Sequence, residues 1–271
     1  MTSPTDPTAQ LSAHASGRRA RTIAVTSGKG GVGKTFISAN LAAALSRRGQ
    51  RVLVLDADLG LANLDVVLNL HPKTTLHDVL SGQSDLEAAI LPAPGGFSVL
   101  LAGSGLVEYS RLTNDVREQL LDIIEKVKPR FDCIILDTGA GISDVVLFAV
   151  SLADEVMVVA TPEPTSLTDA YATIKVLATQ QARRNIKLVV NQAARVGEGR
   201  TIRGQLQQVI DRYVSPMIGD ENESLKLELV GEVPIDPAVR EAILKRQLLM
   251  ETAPGSPAAL GVGALADKLL G

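Results

Sequence analysis

From residue 21 onward, short β-branched apolar runs alternate with stretches whose apolar positions recur every three to four residues, the pattern of successive βαβ units. The runs are TIAVT (22–26), RVLVLD (51–56), FSVLLAG (97–103), FDCIILD (131–137), EVMVVAT (155–161), IKLVVN (186–191) and LELVGEV (227–233). Most are apolar without interruption, as strands of a parallel sheet covered on both faces must be. The pattern therefore predicts an α/β fold: a doubly wound, mostly parallel sheet flanked by helices. Between the runs, residues 35–48 place Ile37, Leu41, Ala44 and Leu45 on one helical face, with basic residues near the end and Gly49 as a stop. SDLE at 84–87 reads as a capping box, and 112–127 and 165–181 as longer amphipathic helices. LPAPGG, TPEPTS and the acidic GDENES read as loops.

Residues 1–20 are rich in Ser, Thr, Ala and Pro without a period that buries a face, which predicts a disordered tail before a single domain over 21–271. Aromatic residues are 3% of the chain and Trp is absent, so the core is expected to be aliphatic. A net charge of -3 supplies no whole-protein field for DNA or an anionic membrane. The one cysteine, Cys133, falls inside a strand run and leaves neither a disulfide nor a CxxC pair. No apolar run approaches a membrane span, and the N-terminus lacks the apolar segment of a signal peptide, so the expected location is cytoplasmic.

The chemistry begins at TSGKGGVGKT, 26–35. Gly28-Lys29-Gly30-Gly31-Val32-Gly33-Lys34-Thr35 fits GxxxxGK[ST], directly after a strand and opening a helix. Glycines let successive N–H groups turn inward onto phosphate oxygens, and the helix N-terminus adds positive potential. Lys34 is then the β,γ-phosphate cation and the Thr35 hydroxyl a Mg²⁺ ligand. Two strands end on a carboxylate suited to that ion, Asp56 and Asp137, and Thr138-Gly139-Ala140-Gly141 after Asp137 forms a flexible stretch that could sense the γ-phosphate. Lys29 is a second lysine, where such a loop needs one.

SGKGGVGKT, LDADLGLANLDVVLNL (55–70), DTGAGISDVV (137–146) and TPEPTSLTDAYATIKVL (161–177) together resemble the MinD/ParA group of P-loop ATPases, and within it the FlhG (FleN, YlxH) regulators of flagellar number and placement. The resemblance runs from about residue 21 to the end. It implies an ATP-dependent homodimer that hydrolyses ATP slowly, in which Lys29 crosses to the partner's nucleotide. It further implies that Asp58 orients the attacking water, Asp56 lies in the outer shell of Mg²⁺, Asp137 holds Mg²⁺ through water, Asn63 and Gly139 belong to the switches, and Asn191 recognises adenine. NQAA after strand 186–191 lacks the acidic residue of a guanine-reading NKxD loop, which favours ATP. Implied partners are an FlhF-type GTPase, a flagellar transcription regulator or C-ring proteins. DPTAQLS (6–12) lacks the glutamine and arginine positions of the relatives' GTPase-stimulating DQAxxLR segment. Leu260, Leu265 and Leu269 could form a face near the C-terminus, but Gly261, Gly263 and a single cation, Lys268, suit a packing helix better than a membrane anchor, so any membrane contact at the inner face is expected to be weak and peripheral. Relatives of the same fold offer alternatives: a MinD-type division-site ATPase, a ParA-like partition ATPase on DNA, or an iron-sulphur carrier, whose ligands one cysteine cannot supply.

Overall fold

The structure, a computed structural model, describes residues 20–58, 63–103, 113–218 and 224–271. The tail segment 6–12, the centre of the 55–70 motif, the start expected for a helix at 112 and most of GDENES lie outside these residues. In chain order the elements are β1 (Arg21–Ser27), α1 (Lys34–Ser46), β2 (Val52–Ala57), α2 (Leu64–Leu68), α3 (Leu76–Leu80), α4 (Leu86–Ala89), β3 (Ile90–Pro92), β4 (Ser98–Leu100), α5 (Asn114–Val127) and β5 (Cys133–Ala140). They continue with α6 (Asp144–Ser151), β6 (Glu155–Ala160), α7 (Pro164–Gln180), β7 (Asn185–Ala193), α8 (Glu198–Tyr213), β8 (Lys226–Pro234), α9 (Pro237–Leu244), α10 (Leu249–Thr252) and α11 (Pro257–Leu270).

The strands form one sheet in the order β3-β4-β2-β5-β1-β6-β7-β8, parallel throughout except for the antiparallel pair β3–β4 at one edge. One face is covered by α3 to α8 through residues such as Leu120, Ile124, Val150, Ile174 and Leu206. The other carries α1, α2 and α9 to α11 through Ile37, Leu41, Leu64, Leu249, Val262 and Leu265. This is the doubly wound arrangement that continuous apolar strands require. At the outer edge, β8 does not present bare backbone: Gln207 accepts the Leu227 N–H and donates to Leu225 O, Arg203 donates to Leu227 O, and Lys268 donates to Leu229 O.

Several expectations change. β3 was absent from the sequence pattern because three residues ending in Pro92 carry no alternation, and their strand character comes from pairing with β4. Ala20, assigned to the tail, is buried at the start of β1. α1 is buried all round rather than along one stripe, because α11 and α10 cover the side the sheet does not. The box at 84–87 does not form: Asp85, not Ser84, is the N-cap of α4, and its side chain accepts no capping bond. A capping box occurs instead at Thr75 and Asp78 of α3. In α11 the buried face runs through Ala258, Val262, Leu265 and Leu269, while Leu260, 62% exposed, points away from it. Gly261 sits in that helix because a Cβ would meet Glu232 O at 2.8 Å. Gly261, which weakens α11 as a membrane anchor, lets it lie close against β8.

Candidate functional site

β1 lies in the middle of the sheet, between β5 and β6, and its C-terminal end delivers the chain into the Gly28–Gly33 loop. The loop bends twice through left-handed glycines, Gly31 (φ 79°) and Gly33 (φ 97°), and Gly33 is the N-cap of α1 with no side-chain cap. The first N–H groups of α1 are therefore left to meet an anion. Val32 is buried and anchors the loop in the core beneath α1. Gly28 answers a different need: a Cβ there would stand 2.1 Å from Asp169 O of α7. Lys34 turns its ammonium back to Ser27 Oγ, 3.0 Å away, and the same hydroxyl donates to Lys29 O at 2.7 Å. Burial lowers the pKa of Lys34, against the pull of Asp137 and Asp58.

The parallel register sets Asp56 of β2 beside Asp137 of β5, side by side at the strand ends. Burial, and then the Asp137 charge, push Asp56 well above the usual carboxylate range, although it accepts the N–H groups of Asp58 (3.2 Å) and Leu64 (3.4 Å). Burial likewise pushes Asp137 up to about 6, against hydrogen bonds from the Thr35 and Ser38 hydroxyls, the latter at 2.8 Å, and the Lys34 charge. Gly139 lies against Asp58, since a Cβ on it would be 3.2 Å from Asp58 Oδ1. Two buried carboxylates beside a hydroxyl are under-compensated by one lysine. That donor set of hard oxygens fits Mg²⁺, with Thr35 and Asp137 nearest the phosphate loop. A cavity of about 630 Å³ opens here, lined by Gly30, Gly33, Lys34, Thr35, Asp58, Asn63, Thr138 and Gly139 among others.

A second cavity of about 400 Å³ adjoins the loop on the β7 side, bordered by Gly33, Phe36, Asn191, Gln192, Ile235, Asp236 and residues of α9. Asn191 is buried there and donates from Nδ2 to Val32 O at 2.8 Å. Lys29 departs from the rest of the loop. Its ammonium reaches outward to Glu163 Oε2 (2.7 Å) and Thr165 Oγ1 (3.0 Å) at the start of α7.

The fold thus brings Gly28 to Thr35, Asp56, Asp58, Asn63, Asp137 and Gly139 to one cleft, with Asn191 at its neighbour and Lys29 on the rim. Sequence reasoning missed Ser27, Ser38, Glu163 and Gln192. Ser27 and Ser38 flank the motif closely enough to have been found: one ends the strand, and the other follows Thr35 by one helical turn. Glu163 and Gln192 leave no such signal, since their relation to the loop exists only across the sheet.

A profile of the ParA family, described as NUBPL iron-transfer P-loop NTPase, matches residues 18–270. The antiactivator FleN of Pseudomonas aeruginosa is 41% identical, over 91% of this chain and 85% of its own. The flagellum site-determining protein YlxH of Helicobacter pylori is 32% identical, over 92% and 81%. The structure of the septum site-determining protein MinD of Pyrococcus horikoshii, complexed with Mg-ADP, superposes with a TM-score of 0.74 at 30% identity, over 92% of this chain and 96% of that one. With a phosphate loop, paired strand-end carboxylates and this sheet order in place, the chain belongs to the ParA/MinD family of P-loop ATPases, which use ATP and Mg²⁺.

Proposed function

We propose that this ATPase is a nucleotide-controlled switch, residues 21–271 acting as one domain, that dimerises with ATP, hydrolyses it slowly and signals to flagellar assembly. One observation carries the reading: Lys29 leaves the cleft that Lys34 serves and presents its charge at the rim. A second cation held outside its own phosphate cradle suits a nucleotide brought by another subunit, as an arginine finger does in trans.

Within one subunit, the loop N–H groups and Lys34 hold the β- and γ-phosphates, and Thr35 with Asp137 would hold Mg²⁺, with Asp56 behind them. The chemistry that Mg²⁺ would supply there is neutralisation of phosphate charge. Asp58, supported by Gly139, orients the attacking water, and Asn63 and Gly139 belong to segments that respond to the γ-phosphate. The cavity between Phe36, Asn191 and Asp236 takes the adenine. The 41% identity to FleN, against 34–37% to septum site-determining MinD proteins, sets flagellar control before division-site placement, and the name antiactivator favours a transcription regulator among the partners. An FlhF-type GTPase and C-ring proteins are the other partners of that reading. Iron transfer has little support in this chain: Cys133 is buried in β5 and its thiol is pushed up to about 12 by burial. No described helix is long and apolar enough to cross a membrane, and membrane contact is proposed as peripheral and weak. Calorimetry with Mg-ATP tests the site: the parent binds and Lys34→Ala does not. Unchanged affinity in Lys34→Ala would overturn the assignment.

A further inference from the structure

Asn191 and Gln192 are consecutive in β7, so in a regular strand they would face opposite sides of the sheet. Here both border the same cavity beside the phosphate loop. The cause is a break in the ladder: the β7–β8 register shifts between Asn191 and Ala193, and Gln192 takes φ 58°, a left-handed conformation that non-glycine residues seldom adopt. At a cavity wall such a conformation makes the residue a candidate for function. The two amides are not equivalent. Asn191 spends its Nδ2 on Val32 O, whereas Gln192 is exposed and its amide has no hydrogen-bond partner among the described residues.

We propose that Gln192 is a specificity-determining residue that reads the base. Its amide offers an acceptor and a donor in one plane. Adenine presents the complement, the 6-amino group as donor beside a ring nitrogen as acceptor, the pairing by which glutamine recognises adenine elsewhere. This inference rests on the reading of the cavity as the adenine site, and the test separates the two.

Binding of ATP, purine riboside triphosphate (which lacks the 6-amino group) and inorganic tripolyphosphate is measured by competition against a fluorescent nucleotide for the parent, Gln192→Ala and Gln192→Gly. The parent should prefer ATP to both other ligands. Each variant should lose roughly 5- to 30-fold in ATP affinity, the scale of one to two neutral hydrogen bonds. Purine riboside triphosphate should lose less, and tripolyphosphate should not change. Gln192→Gly relieves the left-handed backbone, so a melting temperature at or above the parent's together with the same ATP loss assigns the effect to the side chain. A parent that binds tripolyphosphate as tightly as ATP has no base site in this cavity, and the inference falls with that reading. A parent that prefers ATP, with variants that keep the same preference, leaves the cavity reading standing and overturns the role of Gln192.

Discussion

Glu163→Gln should tighten the ATP-bound dimer. In the single chain, the Lys29 ammonium is 2.7 Å from Glu163 Oε2, with the side chains 38% and 61% exposed. Screening by water limits such a pair to about 0.2–1 kcal/mol. If Lys29 must release Glu163 to reach the other subunit's nucleotide, a dimer breaks two of these pairs. The combined penalty is then about 0.4–2 kcal/mol, or roughly 2- to 30-fold in the dimer dissociation constant. The glutamine keeps the shape and removes the charge, while the Thr165 hydroxyl, 3.0 Å from the ammonium, remains. Sedimentation equilibrium with Mg-ATP, in an Asp58→Ala background to suppress turnover, reads the constant directly. The gain should shrink as salt is raised. With Lys29 also alanine no dimer should form, and Glu163→Gln should not restore one. A dimer that is unchanged or weaker in Glu163→Gln at low salt refutes the argument.

Gly28→Ala brings a Cβ to within 2.1 Å of Asp169 O, so the loop must retreat from α7. ATP affinity should fall by about 10²-fold and stability by about 1–3 kcal/mol, read by calorimetry and urea denaturation. Asp236 accepts the N–H groups of Ala238 (2.9 Å) and Ala258 (3.0 Å), capping α9 and bracing the first turn of α11 with one carboxylate. Asp236→Ala should therefore lower stability by about 1–2 kcal/mol at neutral pH. The Ala258 N–H bond, helped by the Ala238 N–H and the Ser256 hydroxyl, holds the Asp236 pKa below its ordinary value. Its contribution is therefore complete above the unfolded carboxylate pKa of about 3.9 and is lost as pH falls through the lower folded value. Urea midpoints of parent and variant should converge as the buffer is taken below about pH 4, and a constant gap would count against the carboxylate as the cause.

Much of the site could be read from residue order alone because its parts are short and local. TSGKGGVGKT specifies a turn, a helix start and two cations within ten residues, and Asp56 and Asp137 end strands whose apolar runs define them. The same holds for the sheet, where seven apolar runs, most of them uninterrupted, became seven of its eight strands. The parts not legible arise from pairing across the fold. β3 exists through β4, the Lys29–Glu163 contact joins residues 134 positions apart, and the turn of Gln192 into the cavity depends on a ladder shift. The capping box was placed on the wrong turn because Ser and Glu at the right spacing are only compatible with a cap, and the chain entered α4 one residue later, at Asp85.

Light scattering with Mg-ATP on two variants tests the central claim, that Lys29 works across a nucleotide-dependent dimer. Asp58→Ala keeps the phosphate loop intact and removes the group assigned to the water, so it should bind ATP, accumulate as a dimer and nearly stop hydrolysing. Lys29→Ala keeps Lys34 and its bond to Ser27, so it should bind ATP as a monomer and fail to hydrolyse it. If Lys29→Ala instead dimerises and turns over ATP like the parent, Lys29 is an ordinary surface lysine held by Glu163, and the switch reading is contradicted.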